Sequence, residues 1–144
     1  MENILVSACL LGVCCRYDGS SKPNKSVMVL KEKYNLIPVC PEVLGGLEIP
    51  RPPSEICGKR VISKNGSDLT EYFESGAKKT LELALKNKCT KAILKSKSPS
   101  CGVNYVYDGT FSGKLVYGNG IAAALILSCG IKVTDENNLA ALKL

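Results

Sequence analysis

Three of the eight cysteines stand where a thiol could act on a ligand. Cys9 follows the apolar run in "NILVSAC", Cys40 closes "NLIPVC", and Cys101 follows "KAILKSKSPS". Each run is short, apolar and bounded by turn residues, so each reads as a strand. Ligands of open parallel sheets bind outside the carboxyl ends of the strands. If these three strands are neighbours, three sulfurs far apart in sequence converge on one rim. There is no histidine in the chain. That removes Ser-His-Asp triads, Cys-His nucleophiles, HExxH zinc sites and facial-triad iron sites together. Thiolates, carboxylates, hydroxyls, lysines and backbone remain. Three thiolates suit an iron–sulfur cluster with one iron left open as a Lewis acid. Zinc normally takes four closed ligands, and no local C-x-x-C pair helps to build such a site. Unmetallated thiols are the other open reading, ahead of zinc.

The other five cysteines have plainer expectations. Cys89 and Cys129 end apolar helices and read as small core residues. Cys14 and Cys15 follow Cys9 closely in a loop, ordinary thiols first and alternative ligands or persulfide carriers second. Cys57 lies in a proline-rich segment. The opening "MENILVSACLL" has Glu2 where a secretory leader would be basic, so the expected location is the cytoplasm. Eight cysteines there do not read as a disulfide framework. No apolar run nears the roughly 20 residues a membrane span needs.

The elements that must position these groups alternate. Asn24 can cap a short helix over "KSVMVLKEKY". The stretch "PEVLGGLEIPRPPSEICGKR" holds four prolines and three glycines, too punctuated for a helix or a central strand. "KRVISKNGSDL" carries an Asn-Gly signal for a small hairpin. Asp68, with Glu71 three residues on, has the capping-box pattern of a helix start. Leu69, Phe73, Ala77, Leu81, Ala84 and Leu85 would form its apolar stripe. "YVYDGTFSGKLVYGNG" reads as a hairpin or a glycine-rich loop. Asn119 can cap a buried helix over "GIAAALILSC" that Gly130 ends. "IKVTD" is a fourth strand and "ENNLAALKL" a short closing helix. Strands alternating with helices predict one α/β domain over residues 1–144, built on a short, mostly parallel sheet.

Several residues around the cysteines carry two readings. Arg51, held between prolines in "PRPP", could anchor a phosphate or carboxylate of a substrate, or pin its own loop through Glu48 or Glu55. Asp18-Gly19 is a turn former first; Asp18 is also a candidate acid near the site, because its loop leaves the strand that ends at Cys9. Gly45 and Gly46 could let backbone approach a ligand closely, or only make a turn. Net charge is +6. Lys78, Lys79, Lys86, Lys88, Lys91, Lys95 and Lys97 fall in a stretch with one acid, Glu82. They read as a solvated face, and second as an attractive surface for RNA.

The segments "SACLLGVCCRYDG", "VCPEVLGGLEIPRPPSEI", "KSKSPSCG" and "YDGTFSGKLVYGNG" together resemble the thiouracil desulfurase (TudS-like) family across the whole chain. The resemblance implies a Rossmann-like α/β fold and a 4Fe-4S cluster held by three cysteines. By motif these fall on Cys9, Cys40 and Cys101. It implies a fourth iron that takes the sulfur of a thiolated pyrimidine, with Glu42 and Ser100 in the desulfuration site. Water would replace the sulfur, with Glu42 as general base and Ser100 giving a proton or hydrogen bond. The substrate would be a free base or a thiouridine in tRNA. Different classes stay open: a non-enzymatic iron–sulfur or sulfur-carrier module, and a zinc-stabilised domain.

Overall fold

In the computed structural model, which describes residues 1–144, the apolar runs lie side by side as one parallel sheet. β1 (Asn3–Ser7) leads into a 3-10 turn over Ala8–Leu11. α1 (Lys25–Met28) follows, with the side chain of Asn24 accepting a bond from the Val27 N–H at 3.0 Å. β2 (Asn35–Val39) runs straight into α2 (Pro41–Leu44). A hairpin of β3 (Ser54–Cys57) and β4 (Arg60–Ser63) precedes the long helix α3 (Thr70–Lys86). β5 (Lys91–Leu94), the hairpin of β6 (Tyr105–Tyr107) and β7 (Leu115–Tyr117), α4 (Ile121–Ser128) and β8 (Lys132–Asp135) complete the order, closed by a 3-10 turn over Leu139–Leu142.

The sheet order is β2-β1-β5-β8, every neighbour parallel. Parallel strands covered on both faces read as unbroken apolar runs, and "NILVS" and "KAIL" do. Successive side chains alternate between two cores. Leu5, Ala92 and Leu94 face α3 and α4, with Ala84, Ala123 and Ile126. Ile4, Val6 and Ile93 face the other way, onto Leu10, Val27 and Leu142. In the pairing of β1 with β2, Ser7 lies opposite Val39, so both strands stop level with each other. No helix is long and apolar enough to cross a membrane.

Several local expectations are corrected. The proline-rich stretch does contain a helix, the single turn α2. Pro41 occupies its first turn, where a fixed φ and a missing N–H cost nothing. The hairpin turns at Gly58-Lys59, pairing Cys57 with Arg60; Asn65-Gly66 only brings Asp68 back to one bridge with Ile62. α3 begins at Thr70, because Asp68 accepts the N–H of Thr70 at 3.0 Å and pairs with Arg60 at 2.8 Å instead of forming the capping box. The buried face of α3 uses Thr70, Gly76 and Thr80 with Phe73, Ala77 and Ala84, while Leu85 is 59% exposed. Asn119 does not cap α4; its side chain accepts the N–H of Asn104 at 2.8 Å, and Gly120 precedes the helix. Cys89 is buried, but Cys129 is exposed, since α4 ends before it turns inward.

Candidate metal centre and active site

The three cysteines reach one cavity of about 390 Å³ at the carboxyl ends of the strands. Cys9 sits in the 3-10 turn that ends β1, and its carbonyl is held by the N–H groups of Gly12 (3.2 Å) and Lys22 (2.9 Å). Cys40 is the cap between β2 and α2. Cys101 comes from the loop after β5, which α4 fastens. The N–H of Ile121 bonds the carbonyl of Pro99 at 2.8 Å, and those of Ala122 and Ala123 bond the carbonyl of Ser100 at 2.9 and 3.1 Å. The unpaired N–H groups of that helix start thus find their acceptors in the loop that carries the third thiol. Gly120 is needed for this approach, since a Cβ there would lie 2.5 Å from the Ser100 carbonyl carbon.

A fourth thiol joins the trio. Cys15 is buried in the lining of the same cavity, and the Cys40 thiol donates to its backbone carbonyl at 3.8 Å. The neighbouring Cys15 thiol, helped by the Lys95 ammonium, lowers the Cys9 pKa against the opposing effect of burial. Donation to Cys15 and burial raise that of Cys40. Burial pushes Cys101 up to about 12, and the negative charge of Cys40 would push the same way. Cys40 and Cys101, held protonated in this manner, would release protons to a metal that took them.

Beside the sulfurs lies a braced carboxylate. Glu42, on α2, accepts the Nε–H of Arg51 at 3.1 Å on Oε1 and the hydroxyl of Ser100 at 2.8 Å on Oε2. Arg51 spends two of its four other donors on the carbonyls of Glu48 (3.0 Å) and Cys15 (2.9 Å), and its side chain is 6% exposed. It lines the cavity while tying its loop to the Cys9 loop. Of the other residues considered for substrate, Asp18 lies in an exposed turn bonded to Ser20, outside the cavity. Gly45 and Gly46 also lie outside it. Gly45 packs on α3, where a Cβ would meet the carbonyl oxygen of Tyr72 at 2.0 Å.

Four residues of this rim were not singled out in the sequence. Lys95, read there as one of a solvated run, pairs with Glu136 at 2.9 Å. Glu136 also accepts the N–H and hydroxyl of Ser96, at 2.8 and 2.9 Å. Burial opposes ionisation of Glu136, but the Lys95 ammonium and the Ser96 bonds outweigh it and hold its pKa below the usual value. Ser98 lies inside the loop that carries Cys101. Only the serine spacing in "KSKSPSCG" hinted at Ser96 and Ser98, and nothing local pointed to Glu136. Of the remaining cysteines, Cys14 is exposed and Cys57 donates to the carbonyl of Gly109 at 3.5 Å, away from the cavity lining.

The donor set can be tested against a cofactor. No three cysteine, aspartate or glutamate side chains close on one point as ligands of a single ion would. The three candidate ligand thiols line one cavity, and thiolate is the donor that iron–sulfur clusters take. The all-thiol donor set fits such a cluster.

A model of the 2-thiouracil desulfurase family matches residues 4–138. The chain is 41% identical over 146 aligned residues to the uncharacterized protein YbbK of Bacillus subtilis (strain 168), covering 94% of this chain and 97% of that one. Among solved structures, the 4Fe-4S-dependent thiouracil desulfidase TudS superimposes with a TM-score of 0.93 at 42% identity, over 99% of this chain and 96% of that one.

Proposed function

The chain belongs to the 2-thiouracil desulfurase family, and we propose that it replaces the sulfur of a thiolated pyrimidine with oxygen from water, using a 4Fe-4S cluster held by Cys9, Cys40 and Cys101. The observation that carries this reading is the meeting of three strand-end thiols and one braced carboxylate at a single cavity. When bound, a cluster with three protein ligands supplies an open iron, a Lewis acid toward a soft thiocarbonyl sulfur. The remaining chemistry falls to the chain.

Glu42 is the proton acceptor for the attacking water. A carboxylate offers about four acceptor positions, and Arg51 and Ser100 use one on each oxygen. The others are free to take a water proton, and the two bonds keep the group from swinging away. Tyr107 and Phe111 give the cavity aromatic faces on which a planar ring can lie. The reaction converts a thiocarbonyl and water into a carbonyl and hydrogen sulfide, so no external electron donor is required. A protein that only carries electrons usually encloses its cluster with four cysteines; Cys15 is the residue on which that distinction turns.

Lys64 and Lys97 line the same cavity and are exposed. They favour a substrate that carries phosphate, such as a thiouridine within RNA. Turnover that falls steeply with salt on RNA but not on free thiouracil supports that second reading.

The test is anaerobic reconstitution with iron and sulfide counted, then incubation with thiouracil and chromatography for uracil. About four irons per chain and uracil matched by sulfide, without added reductant, are expected. Full loading with no uracil from any thiolated pyrimidine overturns the proposal.

A further inference from the structure

Ser98 is the fixed end of a one-way chain of hydrogen bonds. A hydroxyl has one proton and two acceptor lone pairs. The Oγ of Ser98 accepts the backbone N–H of Ser100 at 3.1 Å and that of Cys101 at 3.1 Å. It also stands 2.9 Å from the Oγ of Ser100. The two amides can only donate, so both lone pairs of Ser98 are taken. Its contact with Ser100 must then use its own proton. Ser100 accepts there, and its proton is left for Oε2 of Glu42, 2.8 Å away. The competing acceptor, Sγ of Cys101, is 3.7 Å away and softer. Amide N–H groups cannot reverse, so the order amide to Ser98 to Ser100 to Glu42 has a single direction. Ser100 is 2% exposed, which leaves little room for water to offer it another arrangement.

We infer that Ser98 is a positioning residue for desulfuration, acting through Ser100 to hold Glu42 in place for the water. This rests on the reading of Glu42 as the base. Without the Ser98 hydroxyl, Ser100 is free to turn its proton toward Cys101, and one of the two bonds that aim Glu42 is lost. The same hydroxyl gathers the amides on either side of Ser100, so one side chain aligns both the base and the loop that brings the third thiol.

The experiment compares Ser98→Ala and Ser98→Thr, each in the native and in the Ser100→Ala background. Ser98→Ala is expected to lower kcat about tenfold to a hundredfold with KM and iron content unchanged. Ser98→Thr, which keeps the Oγ, restores most of it. In the Ser100→Ala background most of the loss from Ser98→Ala should disappear, because the effect on Glu42 passes through the Ser100 hydroxyl, and only the part due to the two amides remains. An equal loss in both backgrounds, or a loss that follows iron content, overturns the inference. Amide hydrogen exchange on the cluster-free chain gives a readout independent of turnover. Exchange at Ser100 and Cys101 should quicken in Ser98→Ala and not in Ser98→Thr; unchanged exchange at both overturns the assignment. Wild-type protein that loads fully yet makes no uracil strikes the desulfuration reading instead, and leaves the exchange result to decide the hydrogen-bond direction.

Discussion

Replacing Gly76 with alanine sets two physical effects against each other. In a helix interior alanine is favoured over glycine by about 0.5–1 kcal/mol, so propensity alone has Gly76→Ala stabilise α3. Packing reverses the sign. A Cβ at Gly76 would lie 2.0 Å from the carbonyl oxygen of Pro41 and 2.9 Å from its carbonyl carbon, backbone atoms with no rotamer to yield. Ordinary contact begins at 3.4 Å, so α2 would have to retreat by 1.4 Å at that point. The facing Gly45 is as tightly placed, so the two helices cannot slide to relieve the overlap. Overpacking of this kind costs about 1–3 kcal/mol, a fall in Tm of roughly 3–12 °C for a chain of this size. The retreat also carries Glu42 away from Arg51 and Ser100, and a 1 Å misplacement can lower turnover about a hundredfold. Thermal melts and single-turnover uracil formation measure the two effects. Lys78→Ala, on the exposed side of the same helix, is the control and should change neither. A Gly76→Ala protein that melts at or above the wild type and turns over normally refutes the argument that this crossing aims the carboxylate.

Three further outcomes follow from the same geometry. Glu42→Gln should keep its iron and lose about 10²–10⁴ in kcat, the range a positioned base supplies; full activity would remove Glu42 from the reaction. Serine at Cys9, Cys40 or Cys101 should strip most of the iron from anaerobically reconstituted protein, whereas Cys15→Ser should keep it; iron loss in Cys15→Ser would make Cys15 a fourth ligand. The lowered pKa of Glu136 gives a stability term that is present above the unfolded value of about 4.3 and lost as pH falls through the folded value. The Tm gap between wild type and Glu136→Gln should therefore be widest near neutral pH and close in acid; a gap that stays constant down to about pH 3 counts against the Lys95–Glu136 pair as its source.

The strands that carry the thiols were legible because the evidence for them is local. Unbroken apolar runs such as "NILVS" and "KAIL", separated by helical patterns, are what a doubly covered parallel sheet demands. The rule that ligands gather at carboxyl ends then placed Cys9, Cys40 and Cys101 on one rim before any pairing was known. What stayed hidden depends on contacts between distant segments. Asn119 has the form of a helix cap, yet the start of α4 docks on the Ser100 carbonyl, and the asparagine serves Asn104 instead. Leu85 fits the stripe of α3, but the helix rolls so that Gly76 and Thr80 meet α2 and the core. Lys95 looks solvated among other lysines until Glu136, supplied by the end of β8, closes on it. The alternative readings of Arg51 were local too. Its loop-pinning one has a match in the bond to the Glu48 carbonyl, while the bond to Glu42 needed the folded chain to appear.

Because β5 seats itself beside β1 only after most of the chain has been made, the donor set cannot be completed early. Ribosomes add about 5–20 residues per second, so a nascent chain shows Cys9 and Cys40 for seconds before Cys101 exists. A cluster held by these three residues would accordingly have to wait for Cys101 to be made. A chain stalled or clipped ahead of the Ser-Pro-Ser loop lacks Cys101 and so cannot complete the three-cysteine set.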